Sequence, residues 1–122
     1  MEVVKAKFNF VRGNTYTRDI EIKNYSKINN IYFTVKEKEQ DKNEILKKRL
    51  YDGISLVDET ENSKTYNLLI DSSDTDNLKT DYDYYFDIKV ITNTTSKPIK
   101  LTIIKGTMTL VTDITRVFNE EV

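Results

Sequence analysis

The sequence has no cysteine, no histidine and no tryptophan, and only three glycines and one proline. Without cysteine there is no disulfide, no thiolate nucleophile and no sulfur ligand; without histidine there is no imidazole base near neutral pH and no nitrogen ligand for zinc or copper. Ser-His and Cys-His catalysis is excluded by composition. The missing cysteine fits a reducing compartment, and fits equally a chain that never needs a disulfide. Long apolar runs are also absent: fragments such as Asn67-Leu68-Leu69-Ile70 and Ile103-Ile104 fall far short of the roughly 20 residues a membrane-spanning helix needs. Met1-Glu2 opens no signal peptide, so a soluble chain not secreted by that route is expected. Nor does either charge sign prevail, since 19 Lys+Arg stand against 20 Asp+Glu for a net charge of -1. The basic field that nucleic-acid binding draws on is missing. Neither nucleic acid nor a membrane is an expected partner.

What the 122 residues do contain is alternation. The length suits one domain with a core of its own. Val4, Ala6, Phe8 and Phe10 are apolar between Lys5, Lys7 and Asn9, which is the period of a half-buried strand. After the turn residues Arg12-Gly13-Asn14, Tyr16, Ile20 and Ile22 alternate with polar neighbours, so the two runs form either a first hairpin or a strand that switches sheets. Ile31, Phe33 and Val35 make a third strand, which dissolves into the charged turn Glu37 to Asn43. Glu44 to Tyr51 suits a short helix as well as an edge strand. The strand is preferred, because lysines on an edge discourage intermolecular pairing and Asp52-Gly53 follows as a turn leading to Ile54, Leu56 and Val57.

Tyr66, Leu68 and Ile70 share one face of the next strand. Ser73 then caps a single helical turn through Lys79, with acids at its positive end. Tyr82, Tyr84, Phe86, Ile88 and Val90 make the clearest strand of all. Pro98 opens the last, where its missing N–H is tolerated. Within that strand the apolar phase slips from Leu101 and Ile103 to Met108 and Leu110, which places a bulge or a crossing between sheets at Gly106. About seven strands without a long helix predict an all-β, antiparallel immunoglobulin-like β-sandwich over residues 1–116, with 117–122 as a C-terminal tail. The expected core is Phe8, Phe10, Ile20, Ile22, Phe33, Val35, Leu68, Tyr84, Phe86, Ile88, Leu101 and Ile103.

Three constellations are candidates for function. Asp71, Asp74 and Asp76 place three carboxylates at short spacing, but the loop lacks the glycine and the closing glutamate of a calcium loop, so a helix cap is expected and no metal site. Asp81, Asp83 and Asp87 raise a carboxylate-pair glycosidase reading; Asp83 and Asp87 share a strand face, but the alternation makes it the solvent face, so solvated charge is expected. Tyr32 and Tyr85 fall on the parity opposite the core and are either a protein or carbohydrate contact surface or ordinary decoration. Beyond the last strand, Val117 and Phe118 either pack on a partner or fold back on their own sandwich. Asn24-Tyr25-Ser26 and Asn93-Thr94-Thr95 match the glycosylation pattern, which means nothing without a secretory signal.

Taken together, VRGNTY at 11–16, NIYFTVKEKEQD at 30–41, KKRLYDGI at 47–54, IDSSDTDNL at 70–78, YYFDIKV at 84–90 and TIIKGTMTLVTDIT at 102–115 carry a resemblance that runs from Phe10 to about Arg116. Their order and spacing resemble a family of small phage-encoded virion domains found in prophages of Gram-positive bacteria, best known from the N-terminal domain of the phage baseplate upper protein. The family commonly has Asp where this chain has Asn14, and Gly where it has Asp81. Baseplate proteins of this kind continue into a stalk and further domains, so this chain is either a stand-alone member or an excised domain. The resemblance implies an immunoglobulin-like sandwich that serves, with no catalysis and no cofactor, as a virion structural or adaptor module, expected at the tail or baseplate. Its implied partners are other phage structural proteins or further copies of itself, and its implied location is the virion, after assembly in the host bacterial cytoplasm. A carbohydrate-binding sandwich is the alternative, and requires the exposed tyrosines to line a groove.

Overall fold

A computed structural model describes residues 3–23, 27–93 and 98–112. Eight strands and one short helical turn follow in the order β1 (Val4–Val11), β2 (Tyr16–Lys23), β3 (Ile28–Lys36), β4 (Leu46–Leu50), β5 (Gly53–Glu59), β6 (Ser63–Ile70), α1 (Ser72–Thr75), β7 (Asp83–Asn93) and β8 (Pro98–Val111). The chain is all-β, as the alternation predicts. In β3, Ile31, Phe33 and Val35 are buried while Tyr32, Thr34 and Lys36 lie outward, and β7 buries Tyr84, Phe86, Ile88 and Val90 in the same way.

The pairing differs from the expected sandwich. All eight strands join one sheet in the order β1-β8-β7-β3-β4-β5-β6-β2, nearly closed into a barrel, and the ladder does not divide into two sheets. It is not wholly antiparallel either: β1 runs parallel to β8 from Val4↔Ile104 to Val11↔Val111, and β4 meets β5 in parallel over only Arg49↔Gly53 and Leu50↔Ile54. The reason lies in the chain path. At Leu50 to Gly53 the backbone makes one tight loop, with Asp52 N–H donating to the Arg49 carbonyl at 2.8 Å, Arg49 N–H to the Asp52 carbonyl at 3.0 Å and Tyr51 N–H to the Ile54 carbonyl at 2.7 Å. Tyr51 and Gly53 sit at positive φ, 69° and 98°. β4 and β5 are therefore one run that leaves β3 and takes up β6. That hand-over turns the corner of the sheet.

β1 and β2 are not a hairpin. They pair with β8 and β6 and form the two edges of the sheet, which approach each other at the ends joined by the Arg12 to Thr15 turn. Rings close the seam: Phe10 stacks on Tyr16 at 4.3 Å, Phe8 lies 5.3 Å from Tyr16, and the Arg18 guanidinium sits 5.1 Å over the Phe8 ring. Inside, Phe8, Phe33 and Phe86 meet with centroids 4.2–6.0 Å apart. Ten of the twelve expected core residues are buried, and Phe10 and Leu101 pack against the core half-buried.

β8 lies inside the sheet between β1 and β7, and β4 is interior rather than the expected edge strand, so Lys47 and Arg49 point outward by alternation rather than guarding an edge. The phase slip in β8 occurs between the pairs Ile88↔Ile104 and Lys89↔Thr102, which leaves Ile103 as the extra residue. Gly106 has a separate cause. A Cβ there would stand 1.7 Å from the Ala6 carbonyl oxygen, so only glycine allows β1 this close.

Candidate interaction surfaces

The carboxylate loop is structural. Asp71, and not Ser73, is the N-cap residue of α1: its carbonyl accepts from Asp74 N–H at 3.0 Å, while its own N–H donates to Asp74 Oδ2 at 2.7 Å. The same Asp74 oxygen meets Lys48 Nζ at 2.7 Å in a half-buried ion pair. The buried Thr75 hydroxyl accepts from Gly13 N–H at 2.8 Å, and Arg12 donates to the Leu78 carbonyl at 3.1 Å. These contacts tie α1 to the β1–β2 turn and to β4. Asp74 Oδ2 thus serves the cap and the ion pair at once.

Asp83 and Asp87 lie on the outward face of β7, as their parity predicts, with Asp83 Oδ1 accepting from Thr109 Oγ1 at 2.6 Å. A second polar cluster sits where the loop after β3 approaches the start of β7. Glu37 Oε1 accepts from Lys79 Nζ at 3.1 Å and from the Tyr82 hydroxyl at 3.2 Å, and Lys79 Nζ stands 4.7 Å over the Tyr82 ring. The hydrogen bond and charge of Lys79 hold the Glu37 carboxyl below its ordinary range, and the same bond raises the Lys79 ammonium. Partial burial, then the Glu37 charge, raise the Tyr82 phenol.

Tyr32 and Tyr85 share the outer face of β3 and β7, where Tyr32 pairs with Lys89 and Tyr85 with Lys36. They are not equivalent. The Tyr32 hydroxyl accepts from Asn30 Nδ2 at 3.2 Å and Lys47 Nζ covers its ring at 5.3 Å, so this tyrosine already has partners. Tyr85 borders a shallow depression of about 280 Å³ together with Thr34, Lys36, Asp87 and Lys89, rimmed by the ion pairs Lys47–Glu44 and Lys105–Glu39. Tyr32 does not line it. Its lining is more polar than apolar, with the Tyr85 and Phe86 rings among the charged side chains. Val117 and Phe118 lie outside the described residues.

An exposed surface that alternation does not reveal lies at the corner and along β5. Beyond Ile54 no residue of β5 is buried: Leu56 is 41% exposed and Val57 55%, and Tyr51 at the corner is 84% exposed. The pairs Leu56↔Tyr66 and Asp58↔Thr65 leave Val57 as a bulge. β4 accompanies β5 only as far as Leu50↔Ile54, so no strand pairs with that side of β5 from Ser55 onward among the described residues. The sequence carried one signal of this, the adjacent apolar pair Leu56-Val57, which breaks period two.

Among the described residues no helix is long and apolar enough to cross a membrane. Comparison with known protein families and with curated proteins returned no match to this chain.

Proposed function

We propose that this chain is a non-catalytic protein-contact module of a phage or prophage virion, associated with the tail or baseplate. From the resemblance the reading keeps the role, and not the two-sheet immunoglobulin-like sandwich or its strand number. Supporting it are the ordered motifs from VRGNTY to TIIKGTMTLVTDIT, and the lack of any His or Cys on which general-base or thiol chemistry could rest. The observation that carries it is the exposed strand β5, which displays Leu56 and Val57 on a run paired along one side only. Unpaired edges with apolar side chains are a liability for a solitary protein and an asset for one that assembles. The reading implies phage structural proteins, or copies of this chain, as partners, and the particle as its place.

Mass spectrometry of particles purified after prophage induction in the encoding strain tests this. Peptides of this chain should be recovered in stoichiometric amounts with tail proteins; their absence from intact particles overturns the reading. One observation favours carbohydrate binding as the second reading: Tyr85 borders a polar depression on an open sheet face. A glycan array separates the two, since Tyr85→Ala should abolish any signal that arises there.

A further inference from the structure

Among the described residues, the open side of β5 and the open side of the edge strand β1 differ in charge. On β5, the Tyr51 N–H bond to the Ile54 carbonyl shows that Ile54 turns its backbone toward β4. Leu56 follows at the same parity, past the end of β4, and turns its N–H and C=O to the vacated side. A little further on, the Glu59 N–H takes the Asp58 carboxylate at 3.0 Å as its acceptor. This edge carries exposed Leu56 and Val57, then exposed Asp58 and Glu59, with exposed Glu61 in the following turn. One ion pair, Glu59–Lys64 at 3.6 Å, offsets those acids in part.

The other open edge belongs to β1. Its ladder with β8 occupies one side, and no strand pairs with the other side among the described residues. The aromatic seam with β2 lies toward its C-terminal half, at Phe8 and Phe10. The N-terminal half is bare: Val3 is 46% exposed, Val4 59%, and Lys5 and Lys7 are exposed. One edge thus offers two apolar residues followed by two acids, the other two apolar residues and two lysines. Edge pairing supplies affinity through main-chain hydrogen bonds, and side chains of matching type and opposite charge set the partner.

We infer that the open edge of β5 in one copy pairs with the open edge of β1 in a second copy, adding its sheet to the next head to tail. The contact joins two different surfaces, so it propagates, as a ring or filament of a virion would require. The occupant is a second copy because the complementary edge is present on this same chain. A stretch this short cannot bury what a stable dimer needs, so association is weak, salt-sensitive and visible at high protein concentration. This inference rests on the reading of the chain as a protein-contact module and names its partner.

The experiment is sedimentation velocity on the full chain at low salt. Wild type should show a weight-average mass that rises with concentration and falls back to monomer in molar salt. Asp58→Lys/Glu59→Lys and Lys5→Glu/Lys7→Glu should each remain monomeric alone, with unchanged circular dichroism and melting temperature. Mixed in equal amounts, the reversed β5 edge of one variant meets the reversed β1 edge of the other and their unaltered edges meet as in the wild type, so a weight-average mass that rises with concentration should return. A wild type that stays monomeric at millimolar concentration overturns the inference, and so does association that ignores both reversals or a mixture that stays monomeric. Should a reversal disturb folding, Val4→Thr/Leu56→Thr keeps all charges and should weaken association at least tenfold; undiminished association then overturns it. Particle mass spectrometry is independent of these results: the chain present in particles but monomeric in solution sinks this inference alone, and the chain absent from particles but self-associating sinks the virion reading alone.

Discussion

Three single residues show how local chemistry and long-range fold constrain one another. Gly106 is not at positive φ, and its role is space: a methyl group there would meet the Ala6 carbonyl at 1.7 Å. Gly106→Ala should displace β1 from β8 and cost about 2–4 kcal/mol, measured as a lowered urea midpoint. Tyr51 is the reverse case, a bulky residue at φ 69° with its ring in solvent. Left-handed backbone costs a non-glycine residue about 1–2 kcal/mol, so Tyr51→Gly should leave stability unchanged or raise it by up to about 1 kcal/mol in the same denaturation assay. The buried Tyr66 offers a pH test. Burial first, then the proximity of Tyr51 and Glu59, raise its phenol above the ordinary range. A folded-state pKa above the unfolded value means that the stabilisation is complete below the ordinary phenol range and is lost as pH rises through the raised value. Tyr66→Phe should therefore unfold at higher pH than wild type in an alkaline titration followed by circular dichroism.

At the scale of elements, α1 is too short to be stable by itself, and its contacts hold it in place. Asp74 serves the cap and the Lys48 ion pair at once, and both groups are largely shielded from water, so Asp74→Ala should cost about 1–3 kcal/mol. Asp76 is exposed and serves as the comparison: Asp76→Ala should change the thermal midpoint little. β8 shows how one strand serves two phases. The bulge at Ile103 lets Leu101 and Ile103 on one side of it, and Met108 and Leu110 on the other, all face inward. The phase change was visible in the residue pattern; its position was not, because Gly106 attracted the assignment while serving a different purpose.

At the scale of the molecule, the sheet is held by a core that draws on every strand. Phe86 touches both Phe8 from the edge strand β1 and Phe33 from the middle of the sheet. Phe86→Ala should cost roughly 3–5 kcal/mol and lower the thermal midpoint accordingly, because the cavity would open between strands distant in sequence. Much of this was legible beforehand. Side-chain period two assigned the strands, and with them the inward placement of Phe33, Val35, Phe86 and Ile88 and the outward placement of Tyr32, Tyr85, Asp83 and Asp87. A strand's alternation is set by its own pleat and by one buried face, both local properties. Strand partners are another matter. The pattern of β1 is satisfied equally beside β2 or beside β8, so nothing in residues 4–11 selects a parallel neighbour about a hundred residues away. The Leu50 to Gly53 corner, the aromatic seam and the open side of β5 follow from how the whole sheet curls on itself. Local residue pattern therefore settles which segments are strands and which face each turns inward, whereas which strands meet, where the sheet bends and which edges stay open depend on contacts between segments far apart in the chain.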